Sequence, residues 1–466
     1  MDKVSFKSAK KCFVTMFFVV AVLLCGVCIC SVDPEQMYKY WKFFAAAILF
    51  ITGIWIVFGH SKSENTLVNP INIFSLIWLV LIPLTSFEAP LMEEMSIKQW
   101  LYVLIAIACF GIGGLLSTLF YSRKRIVSNN ADWYMNKRTY VFCMFVIIVG
   151  VVLYFVQAKI AGGWPIFSSN PDYARRHFFV RGLALASNFP IVAIFFVFCD
   201  SFHRKKRLFV IFASIFFVLQ ILIAVRFLLF LLFIMLIAVY GEKFKVKEQV
   251  RKILKITLLC VVGFLIVASV RGGVEDKQRA FVNTDVYAGS AETLVQTEIL
   301  RYFGMSQRVM EEYTSHYEPA LTPMMHTFYP VLNFLGCAPA LPKHYGIYGY
   351  TATNIVTYLY FDAGYFWWLL MIVWSFFMNS LYYRYKLNSQ NIMNKYLWGV
   401  AAICLTMSFY CYINSFPYWF CDYIIFLVCL NQLNVRRKKS LYIIPSQKHL
   451  QKEFFYASDN FGSRHG

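Results

Sequence analysis

A succession of long apolar segments constrains the fold of this chain more than any other feature. A membrane-spanning helix needs about 20 apolar residues, because each residue advances a helix by about 1.5 Å across about 30 Å of hydrocarbon. The sequence predicts about twelve such helices, with apolar cores at Cys12–Ser31, Trp41–Phe58, Pro70–Phe87, Trp100–Tyr121, Tyr140–Gln157, Leu183–Cys199, Leu208–Val225, Phe227–Tyr240, Ile253–Val270, Ile355–Leu381, Tyr396–Asn414 and Tyr418–Leu433.

Composition supports this interpretation. Of the 466 residues, 59% are hydrophobic and 15% are charged, and the mean hydropathy is +0.57. A soluble protein of this length could not bury so much apolar surface. We therefore expect an all-α, polytopic integral membrane protein whose principal surroundings are a lipid bilayer.

The apolar run Leu208–Tyr240 fixes part of the topology. As one helix it would be about 50 Å long, too long for a single crossing. Basic clusters flank both ends, at Arg204–Arg207 and Lys243–Lys247, and such clusters favour the cytoplasmic side. The run must then cross twice, with Arg226 at the outer tip, and both termini are predicted to be cytoplasmic.

The formal net charge of +20 from 44 Lys and Arg fits the same topology. Most of these cations fall on the predicted cytoplasmic side, as the positive-inside rule requires, so nucleic-acid binding is not expected. The cations on the outer side favour arginine over lysine. A guanidinium group can bind two phosphate oxygens at once and stays charged. The arginine preference therefore suggests phosphate or pyrophosphate recognition. Ion pairing with outer carboxylates is the alternative for any single arginine.

The outer loop 158–182 is the first candidate site. Gly162-Gly163, followed by Pro165, predicts irregular backbone at the membrane edge. Arg175, Arg176 and Arg181 then give a local excess of positive charge, which suggests anion binding. Arg226 is the next candidate, because a cation between two apolar helices is costly unless it faces a wet cavity or snorkels to the surface.

The polar stretch 271–354 is predicted to form one large outer loop and to carry most of the chemistry. Arg271 directly follows a predicted helix, and Arg279 lies nearby. A helix is predicted from Ser290, as N-cap, to Tyr313. It places Arg301 seven residues before Arg308, on the same face. A basic tail, 436–466, is predicted on the cytoplasmic side.

The end of this loop contains residues suited to sugar binding and to proton transfer. The segment from His326 to Tyr350 is rich in proline and aromatic residues, and aromatic rings pack on the apolar faces of sugars. Asn354 then leads into Asp362, which lies about two turns into the next helix. Asp362 and Asp422 are carboxylates at membrane depth, where ionisable groups are costly and often functional, although either could pair with an outer arginine.

No metal or cofactor site is predicted. The sequence contains neither an HExxH pattern nor a Gly-rich phosphate loop. Its 13 cysteines fall mostly within predicted helices, which is typical of small apolar packing residues rather than of a disulfide framework.

Several short features together resemble those of the bacterial oligosaccharide repeat-unit polymerases, the Wzy-type O-antigen and capsule polymerases. They are the Pro70-Ile71-Asn72-Ile73-Phe74 helix entry, the Gly162-Gly163-Trp164-Pro165 loop, the Arg226 hairpin, Arg271 at a helix end, and Thr353-Asn354 followed by Tyr360-Phe361-Asp362-Ala363-Gly364. The resemblance extends to the topology of most of the chain. It implies a GT-C-like membrane glycosyltransferase architecture in the bacterial inner membrane, with a large periplasmic loop.

The resemblance also implies a reaction. Such an enzyme transfers a growing glycan from undecaprenyl pyrophosphate to the free end of a new lipid-linked repeat unit. It needs no cofactor, and a flippase and a chain-length regulator would be its partners. A lipid pyrophosphate leaving group needs positive charge, and the acceptor hydroxyl needs a base. Catalytic roles therefore fall to Arg271, Arg279, Arg301, His326 and Asp362, and substrate-binding roles to Arg175, Arg176, Arg181, Arg226, Tyr350, Asn354 and Asp422.

Two alternatives share much of this pattern. A flippase for lipid-linked oligosaccharides would also use about twelve helices and buried cations, but it would need access from both faces and internal repeats. An O-antigen ligase would share the topology and the arginines and would differ in its acceptor.

Overall fold

The architecture is taken from a computed structural model of the chain. It describes residues 3–30, 34–64, 66–87, 94–122, 131–133, 137–169, 171–180, 183–199, 206–223, 291–318, 353–389, 391–410 and 437–439, parts of 231–258, and a few single positions that include 325–326.

The described chain is α-helical apart from two short strands. The helices are α1 (Lys3–Cys30), α2 (Pro34–Glu64), α3 (Pro70–Leu84), α4 (Ile97–Ser122), α5 (Lys137–Ile160), α6 (Pro171–Phe178), α7 (Leu183–Cys199), α8 (Lys206–Leu222), α9 (Ala291–His316), α10 (Ile355–Ala363), α11 (Trp367–Leu387) and α12 (Ile392–Met407). Strand β1 (Ala131–Trp133) pairs antiparallel with β2 (Arg437–Lys439), with Ala131 opposite Lys439.

Within the described residues, five helices are long and apolar enough to cross a membrane: Phe6–Cys28, Met37–Glu64, Ile97–Ser122, Lys137–Phe167 and Ile355–Leu387. Helices α3 and α12 are shorter apolar helices. The chain is therefore an all-α, multi-pass membrane protein. The total of about twelve spans stays a prediction, because the predicted helices Phe227–Tyr240, Ile253–Val270 and Tyr418–Leu433 lie largely or wholly outside the described residues.

Two predicted helices needed correction. The predicted helix Ile355–Leu381 is interrupted by a 3₁₀ turn, Gly364–Phe366. Gly364 has a φ of +53°, a value that a glycine adopts easily because it lacks a Cβ. The predicted helix Tyr396–Asn414 ends at Met407. The backbone carbonyl of Ser408, just beyond this helix, accepts a hydrogen bond from the Ile355 N–H at 2.9 Å. The Ser408 carbonyl is therefore bound to the start of α10.

Aromatic packing around α3 forms the centre of the bundle. Phe74 stacks against Phe110 of α4 with ring centroids 3.7 Å apart, and against Trp78 at 5.4 Å. Residues Ser75–Leu81 form a π-helical turn, and Pro83, which has no N–H to donate, follows it. The indole of Trp78 donates to the Ser408 hydroxyl at 2.8 Å, which ties the middle of α3 to the end of α12.

Polar contacts gather at the opposite end of the bundle from α9. The Ser8 hydroxyl and His60 Nδ1 lie 3.0 Å apart. Glu64 accepts a hydrogen bond from the Tyr382 hydroxyl at 3.2 Å and lies 3.8 Å from the Lys386 ammonium. The first residues of α1 and the last turns of α2 and α11 therefore share one end, as the predicted alternation of crossings requires.

Small residues let some helices approach closely. A Cβ added to Gly113 of α4 would lie 2.3 Å from the Ile372 carbonyl oxygen and 2.7 Å from the Ser375 Cβ of α11. At Gly150 of α5, an added Cβ would lie 1.9 Å from the ring of Pro190 in α7. Both glycines therefore sit at helix–helix contacts, a common use of small residues in membranes.

The Gly113 contact yields a test. We expect Gly113→Ala to push α4 and α11 apart and to lower the free energy of unfolding by about 1–3 kcal/mol, the usual cost of overpacking. Gly59 of α2 is a matched control, because a Cβ there would meet nothing within 4 Å. The measurement is the melting temperature of each detergent-purified variant. Equal melting temperatures for the two variants would contradict the close contact.

Candidate functional site

Helix α9, from the predicted large loop, packs on the ends of the membrane helices through buried polar side chains. Arg308 is 4% exposed. Its guanidinium donates to the Thr85 carbonyl oxygen, just beyond α3, at 2.9 Å and to the Gly304 carbonyl oxygen at 3.2 Å. A buried cation is stable only when its donors find acceptors, so these two carbonyls help to hold α9 at the end of α3.

A second attachment joins α9 to the start of α4. Glu311 accepts hydrogen bonds from the Ser96 hydroxyl at 2.7 Å and from the Gln99 side-chain amide at 2.5 Å. The Lys98 ammonium donates to the Ser315 hydroxyl at 2.7 Å. Hydrogen bonds to a charged group are stronger than neutral ones, so the Glu311 carboxylate is the main anchor at this point.

A third attachment joins α9 to α10 through Asn354. This fully buried side chain caps α10 by accepting from the Val356 and Thr357 N–H groups at 3.0 and 3.4 Å. Its amide nitrogen donates to the side-chain oxygen of Gln307. Asn354, predicted to bind substrate, therefore has both ends of its side chain engaged in holding the start of α10 against α9.

Asp362 lies at the other end of α10, directly before the helix break at Gly364. Its side chain is fully buried, and Oδ1 accepts a hydrogen bond from the backbone N–H of His326 at 2.5 Å. The structure thus brings together two of the predicted catalytic residues, 36 positions apart in the chain. The prediction that Asp362 lies two turns into its helix is confirmed, since α10 begins at Ile355.

The His326 imidazole is 3% exposed, and within the described part of the chain its Nδ1 makes no hydrogen bond. Its ring lies 5.5 Å from that of Phe361, which also contacts Tyr313 and Tyr317. Burial lowers the pKa of His326 below its usual value of 6.5. The imidazole is therefore neutral near pH 7 and able to accept a proton.

Tyr317 completes this group from the end of α9. Burial raises the pKa of its phenol, and the negative charge of Asp362 raises it further. The phenol thus stays protonated and can donate a hydrogen bond. A neutral imidazole, a buried carboxylate and a protonated phenol around one ring can accept and deliver protons in an environment with little water.

The loop after α5, which is predicted to lie on the outer side, has the predicted irregular backbone. The Gly163 N–H donates to the Ala158 carbonyl at 2.8 Å and the Gly162 N–H to that of Lys159 at 3.3 Å. This is the Schellman pattern, which ends a helix with a positive φ, here +79° at Gly162. Trp164 then stacks on Phe178 at 5.9 Å and so packs the loop against α6.

The predicted arginine cluster is described only in part. Arg175 is partly buried in α6. Arg176 lies in α6 and Arg301 in α9, with side chains outside the described set. Arg181, Arg226, Arg271, Arg279, Tyr350 and Asp422 lie outside the described residues. Their gathering around a pyrophosphate therefore stays a prediction.

Gln307, Arg308 and Glu311 were not among the predicted site residues. The spacing of Gln307, Glu311 and Thr314 places them on one helix face, and Thr314 and Gln307 are buried. The polar face of this helix could have indicated a buried contact. The residues it contacts, Thr85, Ser96 and Gln99, are remote in sequence and could not be identified from it. No group of three metal-binding side chains occurs among the residues searched, which are the described ones.

No protein-family model matches this chain, and no curated protein or solved structure matches it either.

The two roles of Asn354 can be separated with a matched variant. Asn391 caps α12 in the same way, accepting from the Met393 and Asn394 N–H groups. We expect Asn391→Ala to cost about 1 kcal/mol of stability as a lost cap. Asn354→Ala should cost about 2–3 kcal/mol, because it also leaves the buried Gln307 oxygen without this donor. Chemical unfolding of both purified variants measures the difference, and equal losses would exclude the Gln307 contribution.

The burial of His326 predicts a pH dependence of stability. Below pH 6.5 the unfolded chain takes up a proton on this residue before the folded protein does, so folding weakens as the pH falls through this window. Above pH 6.5 both states are neutral and the effect vanishes. We expect the melting temperature of His326→Gln to fall less steeply than that of the wild type as the pH is lowered below 6.5. Parallel curves would show that His326 titrates normally.

Proposed function

We propose that this protein is a membrane glycosyltransferase that polymerises undecaprenyl-pyrophosphate-linked oligosaccharide repeat units. The observation that carries the proposal is the buried Asp362–His326 pair at the break between α10 and α11, covered by the outer-loop helix α9. Interrupted helices at membrane depth are typical of substrate sites. An ionisable residue buried there is costly and favours a functional role.

The reaction would use these groups as follows. The acceptor sugar hydroxyl attacks the anomeric carbon of the donor glycan, and a new carbon–oxygen bond forms. The bond between that carbon and the pyrophosphate oxygen breaks, and its electron pair leaves with the lipid pyrophosphate. The proton of the hydroxyl passes to the neutral His326 imidazole. Asp362, through the His326 backbone N–H, would hold the segment that carries this base.

The leaving pyrophosphate needs positive charge, which arginines supply without a metal. Arg271, Arg279 and Arg301, with Arg175, Arg176, Arg181 and Arg226, are proposed for this role. Arg308 is proposed instead to position α9, because its guanidinium donates to two backbone carbonyls. Tyr350, Asn354 and Asp422 are proposed at the rim of the substrate site, with Asn354 acting through the position of α10.

The same proposal fixes an orientation. The protein would lie in the bacterial inner membrane with α9 on the periplasmic side and both termini in the cytoplasm. The pairing of β1 with β2 supports part of this, because both strands belong to segments predicted on the cytoplasmic side. A flippase and a chain-length regulator would act beside it.

The first experiment is a deletion of the gene in its host, followed by gel electrophoresis of the surface polysaccharide. A polymerase predicts that single repeat units remain and the ladder of longer chains is lost. Complete loss of surface glycan, with lipid-linked units trapped inside, would mean a flippase. Polymer that accumulates on its lipid carrier would mean a ligase.

The base is tested by complementation of the deletion strain. We expect His326→Gln to reduce polymer formation by about 100-fold or more, because a positioned general base contributes about 10²–10⁴-fold. The substitution keeps the backbone N–H that binds Asp362. His316→Gln is the control, since the His316 side chain is exposed near the end of α9. A ladder of wild-type intensity from the His326 variant would reject the assignment.

A further inference from the structure

The turn that interrupts the membrane helix exposes two aromatic rings. Tyr365 and Phe366 belong to the 3₁₀ turn Gly364–Phe366 and are 79% and 55% exposed. Aromatic residues are common at membrane interfaces, where they anchor a protein without binding anything. What surrounds the rings decides between anchoring and recognition.

Tyr365 contacts a residue of α10 that is itself joined to the end of α9. Its ring meets that of Tyr360 edge-on, with centroids 6.1 Å apart. The Tyr360 hydroxyl donates to the Tyr317 carbonyl, just beyond α9, at 3.4 Å. Glu318, an exposed residue, directly follows Tyr317. Tyr365 is therefore linked, through Tyr360, to the end of α9.

The other flank is formed by α4. Tyr102 lies three residues after Gln99, whose side-chain amide donates to Glu311 of α9. The Tyr102 ring also packs against that of Trp367, with centroids 5.7 Å apart. Phenol groups of α4, α10 and the turn thus lie near the last part of α9, and the ring of Tyr365 is exposed.

We propose that Tyr102, Tyr360, Tyr365 and Glu318 form a subsite for a neutral sugar ring. An exposed aromatic face packs against the C–H face of a pyranose, while phenol and carboxylate oxygens bind its hydroxyl groups. Glu318 would repel an acidic sugar, so a uronic acid is disfavoured.

Tyr365 lies three residues after Asp362, within the turn that breaks the helix. The sugar is therefore the one that presents its hydroxyl to His326, which makes this the acceptor subsite. That assignment to the acceptor rests on the proposed function.

The test measures direct binding to the purified protein in detergent. The probe is the repeat-unit oligosaccharide released by mild acid from the lipid-linked pool of the deletion strain, with a fluorescent label at its reducing end. We expect Tyr365→Ala to weaken binding about tenfold, since a lost stacking contact is worth about one power of ten in affinity. Tyr365→Phe, which keeps the ring, should stay within about threefold of the wild type. Melting temperatures confirm that each variant is folded.

Phe167→Ala is the matched control. Phe167 is 78% exposed in the turn Pro165–Phe167, so its replacement tests the loss of an exposed aromatic ring in a different turn. Equal weakening by Phe167→Ala and Tyr365→Ala would reduce the Tyr365 effect to anchoring and overturn the subsite. Wild-type affinity in Tyr365→Ala would overturn it as well.

The subsite and the function can fail separately. Loss of the polysaccharide ladder on gene deletion, with binding indifferent to Tyr365, would leave the polymerase and remove the subsite. Binding that depends on Tyr365, with an intact ladder after deletion, would leave a saccharide site and remove the polymerase.

Discussion

The absence of water from the bilayer interior governs this structure. A polar group that leaves water there must find a protein partner or cost several kcal/mol. The chain meets this requirement with long-range pairs at the ends and breaks of its helices, such as Trp78 with Ser408 and Glu64 with Tyr382. Apolar packing fills the space between these pairs, but it does not choose among similar helix arrangements, whereas a directional hydrogen bond does.

The position of α9 follows from the same constraint. Thr85, Ser96, Gln99 and Asn354 lie where membrane helices begin or end, so their groups would otherwise need water or lipid head groups. Helix α9 supplies Arg308, Glu311 and Gln307 to these partners. Its buried face carries these polar side chains beside apolar ones such as Val309 and Met310. These hydrogen bonds hold α9 against the ends of the membrane helices.

The break at Gly364 sets the positions of two side chains used in the proposals, Asp362 and Tyr365. One backbone conformation that glycine adopts readily ends α10 and redirects the chain into α11. Asp362 is left buried on one side of the turn and Tyr365 exposed on the other. A proton-accepting pair and an aromatic ring face are thereby placed within one turn of each other. The proposed transfer between two lipid-linked substrates would depend on proximity of this kind.

Apolar periods and basic clusters in the sequence determined the membrane class, the positions of most described helices and the outer-loop helix α9, because these depend on local composition. Sequence also pointed to His326 and Asp362 separately, since each residue type is unusual in its setting. Their pairing and the burial of Arg308 were decided by the tertiary structure. Each depends on a partner dozens to hundreds of residues away, such as Thr85 for Arg308. The local sequence does not show which distant carbonyl or amide will be the hydrogen-bond partner.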